Sequence, residues 1–309
     1  MSDSQDRLTA AGLQAALVQH PFVTEIIYQP RLRSTNDLAK ARATEGAPEG
    51  VLVITEEQTA GRGRMERRWW APAGSALLTS LLFRPTVPPH KLEKTRHGGA
   101  NGGQRQPVQE LVMLCALAAA DAITDLTCLT VELKWPNDQM VDGHKLAGLL
   151  AESIFRGDQL EAVVVGMGIN VNTDFTNAPP FIAAATSLRL ELGHPVDRLS
   201  LLLAYLDGIA RRYTQLKEGH SPYDEWSRRL ATLGQHVTAR LGNQAAAAKG
   251  GPPQYLSGVA QGVDVDGALL LRTADGTVHR LLAADVSLRE PTGTRSNLAN
   301  GDPKHPTLI

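Results

Sequence analysis

Cysteine is almost absent. The 309-residue chain has two, Cys115 and Cys128, and no C-x-x-C pair. That excludes a disulfide framework and a zinc ribbon, and it fits a reducing compartment. An excess of one charge is absent too. Lys and Arg number 31 against 32 Asp and Glu, for a net charge of −1. A histone-like polycation and an acidic tail protein are excluded, whereas local basic patches are not. No long hydrophobic run occurs. The most apolar stretch, 111–120, is Ala-rich and closed off by Glu110 and Asp121. It falls short of the roughly 20 residues that cross a bilayer. The N-terminus is polar and acidic, without the basic start of a secretory signal. The expectation is a cytoplasmic protein with no membrane partner.

The apolar fraction of 42 % and the charged fraction of 20 % are those of a globular chain. At about 150 residues per domain, the length predicts two domains. Residues 1–22 read as an arm with a helix near 11–18, too short for a separate DNA-binding domain of at least about 50 residues. Strands and helices mix over 23–230. Apolar runs at 51–55, 77–83, 131–135 and 163–169 predict strands. The segment 145–155, after the Asp142-Gly143 turn, fits a helix or a strand. Ser34-Thr35-Asn36-Asp37 carries capping-box chemistry ahead of a helix at 38–42. Pro107 opens a helix to about 125, and Asp197 precedes another at 199–217. The glycine- and base-rich stretch 86–106 reads as a long surface loop, and 245–253 as an insert. Short strands at 235–241, 255–263, 268–273 and 277–282, with Asp266-Gly267 and Asp275-Gly276 turns, predict a small β-barrel over 231–290. Residues 291–309 read as a tail.

Four segments carry candidate chemistry. From Gln58 to Trp70, arginines alternate with glycines directly after a strand. Glycine lets backbone approach an anion closely, and guanidinium matches carboxylate and phosphate. A solvated basic loop or an RNA-binding segment has the same composition, and no Walker A pattern is present. Lys134-Trp135-Pro136-Asn137-Asp138 reads as a strand ending in a turn with Asn137 and Asp138 at its mouth, where Asp138 is a candidate Mg²⁺ ligand. Lys145, taken alone, is a solvent-facing lysine. Gly166-x-Gly168 with Asn170 hints at a nucleotide site but lacks the third Rossmann glycine. Ser34-Thr35-Asn36, taken alone, is a helix cap.

In this order, S-T-N, Q-x-A-G-R-G-R, K-W-P-N-D, K-L-A-G and G-x-G-I-N-V-N resemble the biotin protein ligase family, from about residue 25 to 289. The resemblance implies an α+β fold: a mixed-sheet, class II synthetase-like catalytic domain with a small C-terminal SH3-like β-barrel. It implies that Ser34, Thr35, Asn36 and Gln58 bind biotin, and that Arg62, Gly63 and Arg64 close over biotin and its adenylate. Lys145 would meet the ligand carboxylate and α-phosphate, and Trp69, Trp135, Asn137, Asp138 and Asn170 would line the ATP side. The implied substrates are biotin and ATP, with Mg²⁺. The implied partner is a biotin carboxyl carrier protein of acetyl-CoA carboxylase or a related carboxylase. No specific DNA partner is expected, and a homodimer is left open. The sequence departs from the family pattern at Glu66, where a glycine is usual, and in the length of 86–106.

The implied reaction forms biotinyl-5′-adenylate and then acylates a carrier lysine. Arg62, Arg64 and Lys145 are the candidate catalytic residues, acting through charge rather than as nucleophiles. Two alternatives stand beside this reading. A lipoate-type ligase or transferase would share the fold but need a long apolar tunnel. A nucleic-acid-binding module would use the basic loops, against which stand the net charge and the shortage of aromatics between the arginines, Trp69 and Trp70 apart.

Overall fold

Buried apolar runs alternate with tight turns through most of the chain, and pairing those runs builds two sheets. The computed structural model describes residues 8–85, 106–180, 182, 184–241, 254–282 and 284–287. Apart from Gln106, the expected loop at 86–106 lies outside the described residues, as do the insert and tail expected at 245–253 and 291–309.

The larger sheet has seven strands: β1 (Glu25–Leu32), β2 (Val51–Gln58), β3 (Ala76–Phe83), β4 (Glu132–Lys134), β5 (Asp138–Val141), β6 (His144–Arg156) and β7 (Gln159–Asn170). Their order is β1-β2-β3-β7-β6-β5-β4. The first pair is parallel and the others are antiparallel, so the sheet is mixed. All eight residues of β3 are buried, which explains its unbroken apolar sequence: both faces of the sheet are covered.

One face carries α1 (Ala10–Leu17), α3 (Pro107–Thr127) and α5 (Arg198–Lys217), packed in a core that includes Leu77, Leu114, Val165 and Leu206. The other carries α2 (Thr35–Thr44), whose Ala39 and Ala43 pack on Val51, Val53, Leu82 and Val164. α5 begins as its sequence predicts, with the Asp197 carboxylate accepting from the Ser200 amide. Its first residue, Arg198, is buried and pairs with buried Glu56 at 2.7 Å, which anchors the helix to the strand ending at Gln58.

The segment 145–155 is a strand, not a helix. Asp142 (φ 47°) and Gly143 (φ 75°) form a turn with two left-handed residues, the geometry that continues strand twist into a hairpin. From there β6 pairs with β5 and then runs along β7. Two short helices follow the sheet, α4 (Leu188–Leu192) and α6 (Tyr223–Arg228).

The C-terminal unit is a five-stranded antiparallel sheet of β8 (His236–Leu241), β9 (Gln254–Val263), β10 (Leu269–Arg272), β11 (Val278–Leu281) and β12 (Ala284–Ser287), ordered β11-β10-β9-β8-β12. Its Val237, Leu269 and Val286 belong to the same hydrophobic cluster as Leu114 and Val165. Among the described residues, no helix is long and apolar enough to cross a membrane.

The N-terminal arm is part of this core. Leu13 and Leu17 are 0 % and 1 % exposed. Leu13→Ala is therefore expected to destabilise the protein by about 3 kcal/mol, the usual cost of emptying a well-packed leucine site. Urea denaturation checks this, and a change below about 1 kcal/mol would mean that the helix frays from the core.

Candidate active site

A cavity of about 670 Å³ opens over the α2 face of the sheet, and every site residue named from the sequence lines it. The residues arrive from separate elements: the start of α2, the end of β2, the arginine loop after it, the β4–β5 turn, the start of β6 and the end of β7.

One end is built from hydroxyls and amides. The Thr35 backbone N–H donates to Gln58 Oε1 at 2.9 Å. Ser80 Oγ lies 2.7 Å from Thr35 Oγ1 and 2.6 Å from Asn36 Oδ1. Asn36 Nδ2 donates to the Leu150 carbonyl at 3.2 Å and to Glu152 Oε2 at 2.7 Å. The Asn36 amide lies so close over Gly166 that a Cβ there would collide with its Oδ1. The helix-cap reading of S-T-N is corrected here. Ser34 occupies the N-cap position, but its side chain makes no capping bond and it lines the cavity instead. Asp37, where a capping box would need a reciprocal bond, holds Arg62 with two bonds of 2.8 and 2.5 Å.

The other end is cationic. Arg62, Arg64, Arg67, Arg68, Lys134 and Lys145 line the cavity, and Asp138 is the one carboxylate among its described lining residues. Lys145 Nζ sits 2.5 Å from Asp138 Oδ1 and 5.8 Å from the Trp69 ring centre, so the lysine is no idle surface residue. Burial pushes the Arg64 guanidinium pKa down, and Asp138 opposes the shift. Burial likewise lowers the Lys134 pKa; Asp138 opposes, while Lys145 and Arg67 add to the lowering. These cations are thus held close together in a partly dry site. An incoming anion would relieve that repulsion. Arg62 is already neutralised by Asp37, as Lys145 is by Asp138. The Arg62 hydrogen bond holds the Asp37 carboxyl below its ordinary pKa. A depressed carboxyl contributes fully above its unfolded value and is lost only as pH falls through the lower folded one. The Arg62 contact therefore holds through neutral and mildly acidic pH.

Between the ends, Trp69 lies flat on Gly168, where an added Cβ would come within 2.6 Å of Trp69 Cε2. Trp69 Nε1 and Asn170 Oδ1 are buried without partners among the described residues, leaving a donor and an acceptor for a ligand's polar edge. Asn170 Nδ2 is fixed by the Thr186 carbonyl at 3.0 Å. Two residues expected on the ATP side are committed to the framework. Trp135 is 1 % exposed and its indole N–H donates to the Gly267 carbonyl at 2.8 Å, joining the cavity wall to the C-terminal sheet. The Asn137 side chain donates to the Leu149 carbonyl. Asp138 was the candidate Mg²⁺ ligand. Its Oδ1 is taken by Lys145, and no three His, Cys, Asp or Glu among the described residues gather to hold a metal. One carboxylate ringed by cations does not fit a protein-held Mg²⁺.

Sequence reasoning missed Lys134, although it opens K-W-P-N-D, and Arg67 and Arg68, although both lie in the arginine-rich segment 58–70. It also missed Glu152, a lone acid on a strand with no motif around it. The packing at Gly168 gives a direct test: Gly168→Ala should displace Trp69, shift the intrinsic fluorescence and lower stability by about 1–3 kcal/mol. Unchanged fluorescence would show that the ring does not rest there.

Comparison with known proteins places this chain. A family model described as the biotin/lipoate A/B protein ligase family matches residues 28–170. One described as the biotin protein ligase C terminal domain matches residues 252–289. The chain is 31 % identical over 285 residues to the bifunctional ligase/repressor BirA of Bacillus subtilis (strain 168), spanning 91 % of this chain and 79 % of that protein. It is 34 % identical over 253 residues to the biotin–[acetyl-CoA-carboxylase] ligase of Paracoccus denitrificans, spanning 80 % and 93 %. A solved structure of the biotin protein ligase from Aquifex aeolicus, in complex with biotin and ATP, superposes with a TM-score of 0.63 at 25 % identity and covers 85 % of this chain and 98 % of that one. With cationic and amide ends on one mixed sheet, both family models and these relatives in agreement, the chain belongs to the biotin protein ligase family of ligases.

Proposed function

We propose that this chain activates biotin with ATP and transfers it to a lysine of a biotin carboxyl carrier protein of acetyl-CoA carboxylase or a related carboxylase. The observation that carries the reading is the meeting, in one cavity, of a hydroxyl-and-amide end with an excess of cations. A neutral ureido ring needs paired donors and acceptors, which Ser34, Thr35, Asn36 and Gln58 offer. Biotin's carboxylate and the nucleotide's phosphates need positive charge, which Lys145, Arg64 and Lys134 offer. The Aquifex complex with biotin and ATP supports the substrates, and the name of the Paracoccus ligase supports the carrier.

In the first step, a carboxylate oxygen bonds to the α-phosphorus and the bond to the β-phosphate bridging oxygen breaks. Biotinyl-5′-adenylate forms and pyrophosphate leaves. Two anions about 4 Å apart repel by about 4 kcal/mol at an effective dielectric near 20. Lys145 and Arg64 are the groups set to offset this, with Lys145 passing from Asp138 to the ligand. In the second step, the carrier's ε-amine attacks the activated carbonyl, AMP leaves, and the nitrogen loses a proton.

The polar end of the cavity does not favour a lipoate chain, which would need apolar walls. The convergence of the basic groups on a concave site does not favour a nucleic-acid module.

Pyrophosphate–ATP exchange tests the reading. It should require biotin and proceed without a carrier; exchange indifferent to biotin would refute it. Lys145→Ala should slow exchange by about 2–4 kcal/mol, roughly thirtyfold to a thousandfold, the scale for losing one preorganised charge donor.

A further inference from the structure

We propose that Glu152, which stands behind the cavity wall, is a positioning residue that fixes which atoms of the ring-binding end donate and which accept. The inference rests on the biotin-ligase reading above.

The argument follows the protons. Glu152 Oε2 and the Leu150 carbonyl can only accept, so the Asn36 side-chain atom facing both must be its N–H₂, at 2.7 and 3.2 Å. That orientation turns Asn36 Oδ1 towards Ser80 Oγ, 2.6 Å away. Oδ1 has no proton, so the single Ser80 hydroxyl proton points at it. The same Ser80 hydroxyl lies 2.7 Å from Thr35 Oγ1, which faces it as an acceptor. The Thr35 hydroxyl proton goes to Gln58 Oε1 at 3.2 Å, which also receives the Thr35 backbone N–H at 2.9 Å. At the cavity surface, Thr35 Oγ1 is left with its lone pairs and Gln58 with its Nε2 donors. A ureido ring, with N–H groups and a carbonyl, meets both. Reversing the Asn36 amide would set its Oδ1 against the Glu152 carboxylate and the Leu150 carbonyl, acceptor against acceptor, and turn its N–H₂ onto Ser80 Oγ, while Gln58 stays held by the Thr35 backbone N–H.

Glu152 is held in place for this task. Lys40 Nζ lies 2.5 Å from its Oε1, and Arg62 Nη2 lies 3.6 Å from its Oε2. Asp37 pairs with the same two cations, at 3.4 Å to Lys40 and 2.5 Å to Arg62. Two carboxylates and two cations therefore close a charge-balanced ring, so the carboxylate keeps its orientation without excess charge. The Leu150 carbonyl alone would leave the amide with one acceptor at a longer distance.

The test compares Glu152→Met with Glu152→Gln in biotin-dependent pyrophosphate–ATP exchange. Both match the native side chain in size and lack its charge, but only Gln keeps an acceptor for Asn36. Glu152→Met should raise the biotin KM about tenfold, the scale of one lost hydrogen bond to a charged group, with the ATP KM within about twofold of wild type. Glu152→Gln should bring the biotin KM back to within about threefold of wild type. Should the Met variant not fold, Ser80→Ala removes the proton that Asn36 Oδ1 receives and should give the same biotin-selective rise. Equal biotin KM values for the Met and Gln variants, or a parallel rise in the biotin and ATP values, would overturn the proposal. So would a Ser80→Ala enzyme with an unchanged biotin KM. Wild-type exchange that ignores biotin would instead overturn the reading beneath it.

Discussion

Positive charge must be gathered where no anion yet stands. Six basic side chains converge on a cavity whose described lining holds one carboxylate, Asp138. Like charges about 4 Å apart would repel by about 4 kcal/mol at an effective dielectric near 20. The fold tolerates this partly because three of the six are fixed by a strand or by a carboxylate. Lys145 enters β6 directly after a tight hairpin turn, and Asp138, at the start of the neighbouring strand, neutralises it. Arg62 is neutralised from α2 by Asp37, and Lys134 ends β4. Arg64 and Lys134, whose charge burial disfavours, mark where a ligand's negative charge is welcome.

The second constraint is close approach. Side chains lie flat against the sheet only where the strand beneath carries no Cβ. Gly166 admits the Asn36 amide and Gly168 the Trp69 ring, two residues apart and so on the same face of β7. The G-x-G of this chain is therefore a floor for two site side chains, with no need for a dinucleotide-binding turn. On the opposite face of the same strand, Val165, Met167 and Ile169 join the core shared with α3 and α5. One strand thus serves the packing and the chemistry.

Much of the site was legible because its chemistry needs unusual local sequence. Arginines spaced by glycine, the lysine of K-L-A-G and an amide after G-x-G are rare enough together to mark one cavity. Other features were hidden for physical reasons. Ser34 has the sequence of a capping box, but the acid three residues on serves Arg62, and only the tertiary partner reveals that. Residues 145–155 have apolar spacing compatible with helix or strand, and pairing with β5 and β7 decides between them. Trp135 and Asn137 lie in a functional motif yet spend their side-chain N–H groups on the Gly267 and Leu149 carbonyls. Glu152 and Arg198 carry no pattern at all; their importance comes from burial and from partners distant in sequence, such as Asn36 and Glu56.

The central claim is that this cavity drives attack of a carboxylate on the α-phosphorus of ATP. Oxygen-18 placed in both carboxylate oxygens of biotin tests it most directly. Turnover with ATP and a carrier protein should deliver one labelled oxygen to AMP, because the bond formed to phosphorus survives when the lysine expels AMP from the carbonyl. Unlabelled AMP, or label recovered in inorganic phosphate alongside ADP, would contradict the account.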